Sequence, residues 1–331
     1  MRLVGATIVR DASDIIEAFV RHNLTVLDGL AIVDHGSVDG TSEILAALVA
    51  EGLPVFLGRN DTAAFDQRRL VNRLVRHVFE TSDADWIFPL DSDEFLKVGS
   101  RRQLEALLAG VPRSDHLVLR WLTYVPRFEE SGDVLTQLRG ARRLAEERHG
   151  FPKVAVQRSF ASMGNDRLGK GCHWIERKQH GKDAATITEG AFVCDSKDIA
   201  IAHVPIRSAR QFIAKFGAGW LGLLASGTAV GEEAFHWREA YAHLRRGQTV
   251  TAAELTSFAL NYGVYRSRWL PRDAIELVED PFLADISLRH TNGSAPDPFL
   301  LVLAVAERLL AERSPQATVK LGDVPLHPDV Q

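Results

Sequence analysis

Cysteine is nearly absent from this chain, with Cys172 and Cys194 the two copies in 331 residues. That excludes a disulfide scaffold and fits a reducing compartment. Charge of one sign is not in excess either: 39 Lys and Arg stand against 43 Asp and Glu, a formal net charge of −4. Without a basic field, nucleic acid is not an expected partner. Long apolar runs are missing as well, and none reaches the ~18 residues of a membrane-spanning helix. The N-terminus enters a strand-like run within a few residues and lacks the charged, apolar, small-residue order of a secretory leader, so the expected location is cytoplasmic. Glycine is absent from the turn after that run, Arg10-Asp11-Ala12-Ser13, which disfavours a nicotinamide-binding Rossmann domain.

What is present is a globular composition, 46% hydrophobic and 25% charged, enough to bury a full core in one large domain or one domain with an appendage. Residues 2–9 read as a strand. Ile15, Ile16, Phe19, Val20 and Leu24 then recur at helical spacing over 13–26. A second apolar run, 30–33, stops at Asp34, and Asp39 or Thr41 is the expected cap of a helix with Ile44, Leu45 and Leu48 on its apolar face. A strand over 54–57, a helix over 62–81 and a strand over 86–90 continue the alternation, which predicts a parallel sheet covered on both faces.

The fourth strand carries the sharpest functional signal. Trp-Ile-Phe-Pro-Leu over 86–90 ends abruptly in Asp91, Ser92, Asp93 and Glu94. A buried parallel strand delivers the residues after it to the carboxyl edge of the sheet, where open α/β folds hold ligands. Carboxylates crowded there repel unless a cation lies among them. Asp-x-Asp alone is a weak motif, and a solvated acidic turn is its ordinary meaning. Its position after a fourth alternating strand makes it more specific.

Three segments together resemble the family 2 type glycosyltransferases of the GT-A fold, in particular a bacterial branch with an Asp-x-Asp-Glu-Phe metal motif. They are Asp34-x-Gly-Ser-x-Asp39-Gly-Thr41, then Leu90-Asp-Ser-Asp-Glu-Phe95, and, more weakly, His203-Val-Pro-Ile-Arg-Ser208 followed by Gln211, Phe212 and Lys215. The resemblance spans roughly residues 1 to 220. It implies an α/β fold, a GT-A type Rossmann-like mostly parallel sheet flanked by helices, with a helical C-terminal region. The implied divisions are a nucleotide-sugar-binding half over 1–125, a mixed acceptor-side region over 126–206 and a mainly helical region over 207–331. The chain departs from the pattern at His35, where the family often places a second acid against the nucleotide base.

The implied chemistry is transfer of a sugar from a nucleoside diphosphate donor to an acceptor hydroxyl, with inversion and in surface-glycan synthesis as the family expectation. Asp91, Asp93 and Glu94 are the expected catalytic cluster, and Mn2+ or Mg2+ the expected cofactor, held by Asp91, Asp93 and His203. Asp34 and Asp39 would contact the nucleoside, and Gln67 and Arg68 would reach the same pocket. Oxygen ligands suit either ion, while an imidazole favours manganese. His173 is the rival to His203, which ends the strand-like run 199–202 much as Asp91 ends another. Glu129, Glu130, Asp133 and Glu176 are all eligible as the base.

Beyond residue 126 the alternation lapses. Residues 127–149 read as a loop and a charged helical stretch, 153–157, 185–188 and 199–203 as strands separated by a glycine-rich loop at 164–171, and 208–226, 232–246, 251–262 and 298–313 as helices before a loose tail at 314–331. Gly217-Ala-Gly-Trp-Leu-Gly222 matches the dinucleotide fingerprint as a string but follows a helix rather than a strand. The stretch 212–230 is apolar enough for a membrane-surface helix, yet its glycines favour a packed helix ending near Gly227. Cys172, Cys194, His173, His180 and His203 lack the spacing of a zinc site.

Two other functions stay open on these residues. A haloacid-dehalogenase-like phosphatase also uses Asp-x-Asp after an apolar strand, though it expects a small residue where Phe95 stands and places the motif in its first strand. A non-catalytic sugar-nucleotide-binding domain would keep the same fold.

Overall fold

The computed structural model describes residues 1–313 apart from 63, 129–132, 148–150, 163, 165, 178–184, 188, 189, 197, 228–234, 272–274 and 292–296. The fold is α/β, a mostly parallel sheet flanked by helices with a helical C-terminal region. β1 (Leu3–Val9), α1 (Ile16–Asn23), β2 (Gly29–Asp34), α2 (Thr41–Ala50), β3 (Val55–Arg59), α3 (Gln67–Thr81) and β4 (Trp86–Pro89) alternate as the apolar pattern predicts. Next come β5 (Glu94–Lys97), α4 (Arg101–Ala109), β6 (His116–Val125), α5 (Val134–Arg139), β7 (Arg142–Leu144), β8 (Pro152–Gln157), α6 (Ser159–Ser162), β9 (Asp166–Leu168), β10 (Ile175–Arg177), β11 (Ala185–Ile187), β12 (Ala191–Val193) and β13 (Ala200–His203). The chain closes with α7 (Ala209–Ala225), α8 (Phe235–Arg245), α9 (Ala252–Leu260), β14 (Leu277–Glu279) and α10 (Pro298–Arg313).

The main sheet runs β14-β7-β6-β8-β4-β1-β2-β3. Its β4-β1-β2-β3 half is parallel throughout. β8 enters antiparallel between β4 and β6, while β12 and β13 lie parallel to β6 and β5 pairs antiparallel with β13. Period-two alternation sorts the side chains. Leu3 and Val9 of β1 with Trp86 and Phe88 of β4 enter one core with α1, α2 and α4, whereas Val4, Ala6, Ile8 and Ile87 enter the other under α3. Gly5 faces the first core, where a Cβ would collide with Leu30.

Several boundaries differ from the sequence pattern, each for a local reason. α3 begins at Gln67 instead of 62, because the Asp66 side chain accepts from the Arg69 N–H and caps it there. α2 is capped by neither Asp39 nor Thr41 but by Gly40 at φ 95, and Asp39 instead accepts from the N–H and hydroxyl of Thr41 and from the Ser13 N–H. β9 lies inside the glycine-rich stretch expected to be loop, and the charged stretch 127–149 holds α5 and β7. Gly217 and Gly219 sit within α7, where Gly219 leaves room for the Trp237 ring, so the fingerprint string is a helix-packing surface. α7 is capped by Ser226 next to left-handed Gly227, as expected. The tail over 314–331, Glu129, Glu130 and His180 lie outside the described residues. Among the described residues no helix is long and apolar enough to cross a membrane.

Long-range polar anchors lock the C-terminal part onto the sheet. The buried Glu17 carboxylate accepts from the backbone N–H groups of Arg289, His290 and Thr291 and pairs with Arg21. Arg207, 5% exposed, makes a two-pronged ion pair with Asp14, at 2.6 and 3.0 Å, which ties the β13–α7 connection to the turn before α1. Removing one partner leaves the other as an uncompensated buried charge, a loss of about 3–5 kcal/mol. Asp14→Ala is therefore expected to lower the unfolding free energy by that amount, read as a lower denaturant midpoint at an unchanged m value. A change below about 1 kcal/mol, the range of an exposed pair, would refute the anchor.

Candidate active site

The acidic turn forms where β4 ends and β5 begins. Its geometry is set by Glu94, which is fully enclosed. Glu94 Oε2 accepts from the Asp91 N–H at 2.8 Å and lies 2.7 Å from Lys153 Nζ, while Oε1 accepts from Trp121 Nε1 at 2.7 Å. Burial pushes the Glu94 carboxyl upward, against the pull of Lys153. The three groups on it are all donors, however, an arrangement that the carboxylate satisfies and the acid does not. Lys153, itself 2% exposed, is held charged: burial opposes this, and Asp91 and Glu94 outweigh it.

Asp91 and Asp93 diverge from that anchor. Asp91 has the more open side chain, 35% exposed, and accepts from Gln67 Nε2 at 2.6 Å and from Lys153 Nζ at 3.1 Å. Asp93 turns the other way. Its Oδ2 accepts from Lys215 Nζ at 2.8 Å, and its Oδ1 lies 3.8 Å from His203 Nε2. Burial would raise the Asp93 carboxyl, but Lys215, His203 and Arg207 hold it well below the usual carboxylate range. His203 ends β13 directly opposite Glu94 in the β5 pairing, and the Val204 N–H donates to the Asp93 carbonyl. The His203 ring stacks on Trp121 at 4.1 Å between centroids, with Tyr262 against it at 5.1 Å.

His173 also lies against Trp121, its ring 5.1 Å away and tilted, and its Nδ1 donates to the Pro152 carbonyl. Asp34 ends β2 and is buried, accepting from the Ser37 N–H and hydroxyl and from the Ser42 hydroxyl, so it and Asp39 brace the loop after β2 against the loop after β1. His35 is enclosed, with Nε2 3.3 Å from the Thr62 hydroxyl, and the Arg308 guanidinium from α10 lies on Gly36, where a Cβ would collide with it. Arg68 is exposed and pairs with Glu176, whose other oxygen accepts from Trp174 Nε1. Asp133 caps α5.

Among the described residues no three His, Cys, Asp or Glu side chains converge on one point, zinc-like sets included. Asp93 and His203 are a pair that could share an ion: their 3.8 Å separation is inside the roughly 4.4 Å maximum span of two ligands held about 2.0–2.2 Å from one ion. Such a short donor set suits Mg2+ or Mn2+, which bind through one or two protein groups and complete their shells with phosphate oxygens and water. A cavity of about 300 Å³ lies at the opposite edge of the sheet, lined by Asp115, His116, Asp166 and Arg177. Two of its charged residues, Asp166 and Arg177, pair with each other there.

The residues that the sequence pattern missed are Lys153, Lys215 and Trp121. A lone lysine in sequence reads as a solvated cation, and Lys215 entered the reading as part of a motif without a role.

No protein-family model and no characterised protein sequence matches the chain. In fold it is similar to S. aureus TarS 1-349 at 12% identity and a TM-score of 0.39, over 81% of this chain and 74% of that one. The same protein in complex with UDP gives 12% and 0.38 over the same shares. A mannosyltransferase, PcManGT from Pyrobaculum calidifontis in complex with GDP-Man and Mn2+, gives 14% and 0.36 over 95% of this chain and 86% of that one.

The buried histidines make stability pH-dependent in a defined sense. An unfolded chain protonates them near 6.5, whereas burial lowers His22 to about 4 and His173 to about 3 in the folded chain. His22 is locked neutral, since Nε2 faces the Leu96 carbonyl and Nδ1 accepts from the Ala284 N–H. In that window the unfolded state binds more protons. Stability is therefore intact above about pH 6.5 and falls as pH drops toward 4, by up to roughly 3 kcal/mol per ring. Denaturant unfolding at pH 7, 5.5 and 4.5 is expected to show this decline, and His173→Gln is expected to make it shallower. A flat profile in the unmodified protein would contradict the enclosed neutral rings.

Proposed function

We propose that the chain is a glycosyltransferase that moves a sugar from a nucleoside diphosphate donor to an acceptor hydroxyl, with the diphosphate at the Asp91–Glu94 turn and the nucleoside at the ends of β1 and β2. One observation carries this reading: the acidic turn and Asp34 both lie at the carboxyl edge of the parallel strands, where such sheets take their ligands. The three motif segments support it. A surrounding of buried lysines suits a ligand that brings negative charge.

In this reading Asp93 and His203 hold a divalent cation, Mn2+ or Mg2+, with Asp91 on its open side. When bound, the cation offsets the charge that develops on the leaving diphosphate. Glu94 acts by fixing the turn and does not reach the donor. Lys153 bridges Asp91 and Glu94, and Gln67 orients Asp91 through its 2.6 Å bond. Asp34 and Asp39 shape the nucleoside edge through the loop contacts they make, and Arg68 with Glu176 forms its rim. Inversion at the anomeric carbon and a role in surface-glycan synthesis are carried from the motif resemblance, without an assigned base.

A panel of uridine and guanosine diphosphate sugars, assayed for transfer and for slow donor hydrolysis with Mn2+, tests the reading. Asp93→Asn removes the charge facing the diphosphate site, and about 3–4 kcal/mol of lost transition-state stabilisation lowers the rate roughly 100- to 1,000-fold. Unchanged turnover by Asp93→Asn at saturating donor and Mn2+ would remove Asp93 from the chemistry. Phosphate release from simple monoesters, with a phosphoryl group trapped on Asp91, would replace the transferase by a phosphatase. Binding without transfer or hydrolysis would leave a non-catalytic domain.

A further inference from the structure

Lys215 lies directly against the Asp93 carboxylate of the acidic turn. It projects from α7 with its Nζ 2.8 Å from Asp93 Oδ2, 3.2 Å from the Pro205 carbonyl and 5.2 Å from the centre of the Tyr262 ring. Asp93 presents its other oxygen, Oδ1, to His203, so one carboxylate serves both the lysine and the pair that can share an ion. The neighbouring cations are committed elsewhere. Arg207 is held by both oxygens of Asp14, and Lys153 bridges Asp91 and Glu94. Lys215 also has the most accessible side chain of the three, 19% exposed against 6% for Arg207 and 2% for Lys153.

We propose that Lys215 is a built-in counter-ion that competes with the divalent cation for Asp93, yielding the carboxylate to the metal when it moves onto the donor diphosphate. The second half of this statement rests on the transferase reading. The physical reason is charge. A divalent ion placed beside Lys215 with nothing added would meet a like charge at contact range in a poorly hydrated site, a strongly unfavourable arrangement. The same ion arriving with a diphosphate brings its own compensation, and the diphosphate oxygens accept the lysine N–H groups that Asp93 releases. Cation and nucleotide then bind well together and poorly apart.

Titration of Mn2+ by calorimetry, with and without UDP or GDP, tests this without any assay of turnover. The unmodified protein is expected to bind Mn2+ alone weakly and to tighten when the nucleotide is present. Lys215→Met is expected to bind Mn2+ alone roughly ten- to a hundredfold more tightly, and to lose most of the enhancement by nucleotide. Asp93→Asn in the Lys215→Met background is expected to abolish that gain, and Lys215→Arg, which keeps the charge, to behave like the unmodified protein. Should Lys215→Met fail to fold by its melting curve, Lys215→Gln removes the charge while keeping a donor to Asp93 and is read the same way. Mn2+ affinity that is unchanged or weaker in the neutral variant overturns the proposal. Failure of either nucleotide to affect Mn2+ binding in the unmodified protein would instead count against the transferase reading, since the comparison with Mn2+ alone involves no nucleotide.

Discussion

The enclosed carboxylate of Glu94 is the constraint from which the site follows. A buried charge is tolerated when it is paired and hydrogen-bonded, and Glu94 collects its donors from three separate strands or turns: the Asp91 N–H, Trp121 Nε1 of β6 and Lys153 Nζ of β8. Its own carbonyl accepts from Asn23 of α1, which also accepts from the Leu96 N–H. One residue thus registers β4, β5, β6, β8 and α1 against one another. The directions of Asp91 and Asp93 are consequences of that registration, because the turn carrying them cannot shift without exposing or orphaning the charge beneath it.

The same logic explains why the site draws on distant parts of the chain. β13 is wedged between β5 and β6, so His203 arrives beside Asp93 through two strand pairings. The chain then turns at Pro205, and the Asp14–Arg207 pair fixes that turn to the start of α1. α7 begins at once, with the Ser208 side chain accepting from the Gln211 N–H, and it places Lys215 one turn beyond Gln211. Residues 91–94, 153, 203 and 215 fall in all three stretches into which the sequence pattern divides the chain. The helical region is therefore part of the site through Lys215 and Tyr262.

Much of this was legible in the amino-acid order, and the remainder was not for physical reasons. The alternating half through β4 announces itself because buried parallel strands must be apolar throughout and their helices must be amphipathic. Asp91, Asp93 and His203 are visible because each interrupts an apolar run at its carboxyl end. Lys153 is invisible in the same way that it is important. Lysine is almost never fully buried without a partner, and its partners lie some sixty residues earlier in the chain, so only the fold reveals the pairing. The cap of α2 was misread because Asp39 spends its oxygens on Thr41 and Ser13, leaving a left-handed glycine to start the helix. β6 escaped because its burial shifts along its length, from alternating at His116 to enclosed on both faces at Trp121 to Val125, and it follows neither period cleanly.

Charge balance within the cluster gives the site its direction. Asp14, Asp91, Asp93 and Glu94 face Lys153, Arg207 and Lys215, four carboxylates against three cations. The surplus falls at Asp91, whose side chain is the most open of the four acids, while the deeper acids are compensated within the protein. A bare anion would meet that surplus first and be repelled, and a bare cation would be drawn in only to meet Lys215 behind it. A ligand carrying both signs satisfies the two layers at once, its cation toward the carboxylates and its anionic groups toward the lysine. Under the proposed function this charge pattern suits a metal-bound phosphate ester better than either the cation or the anion alone.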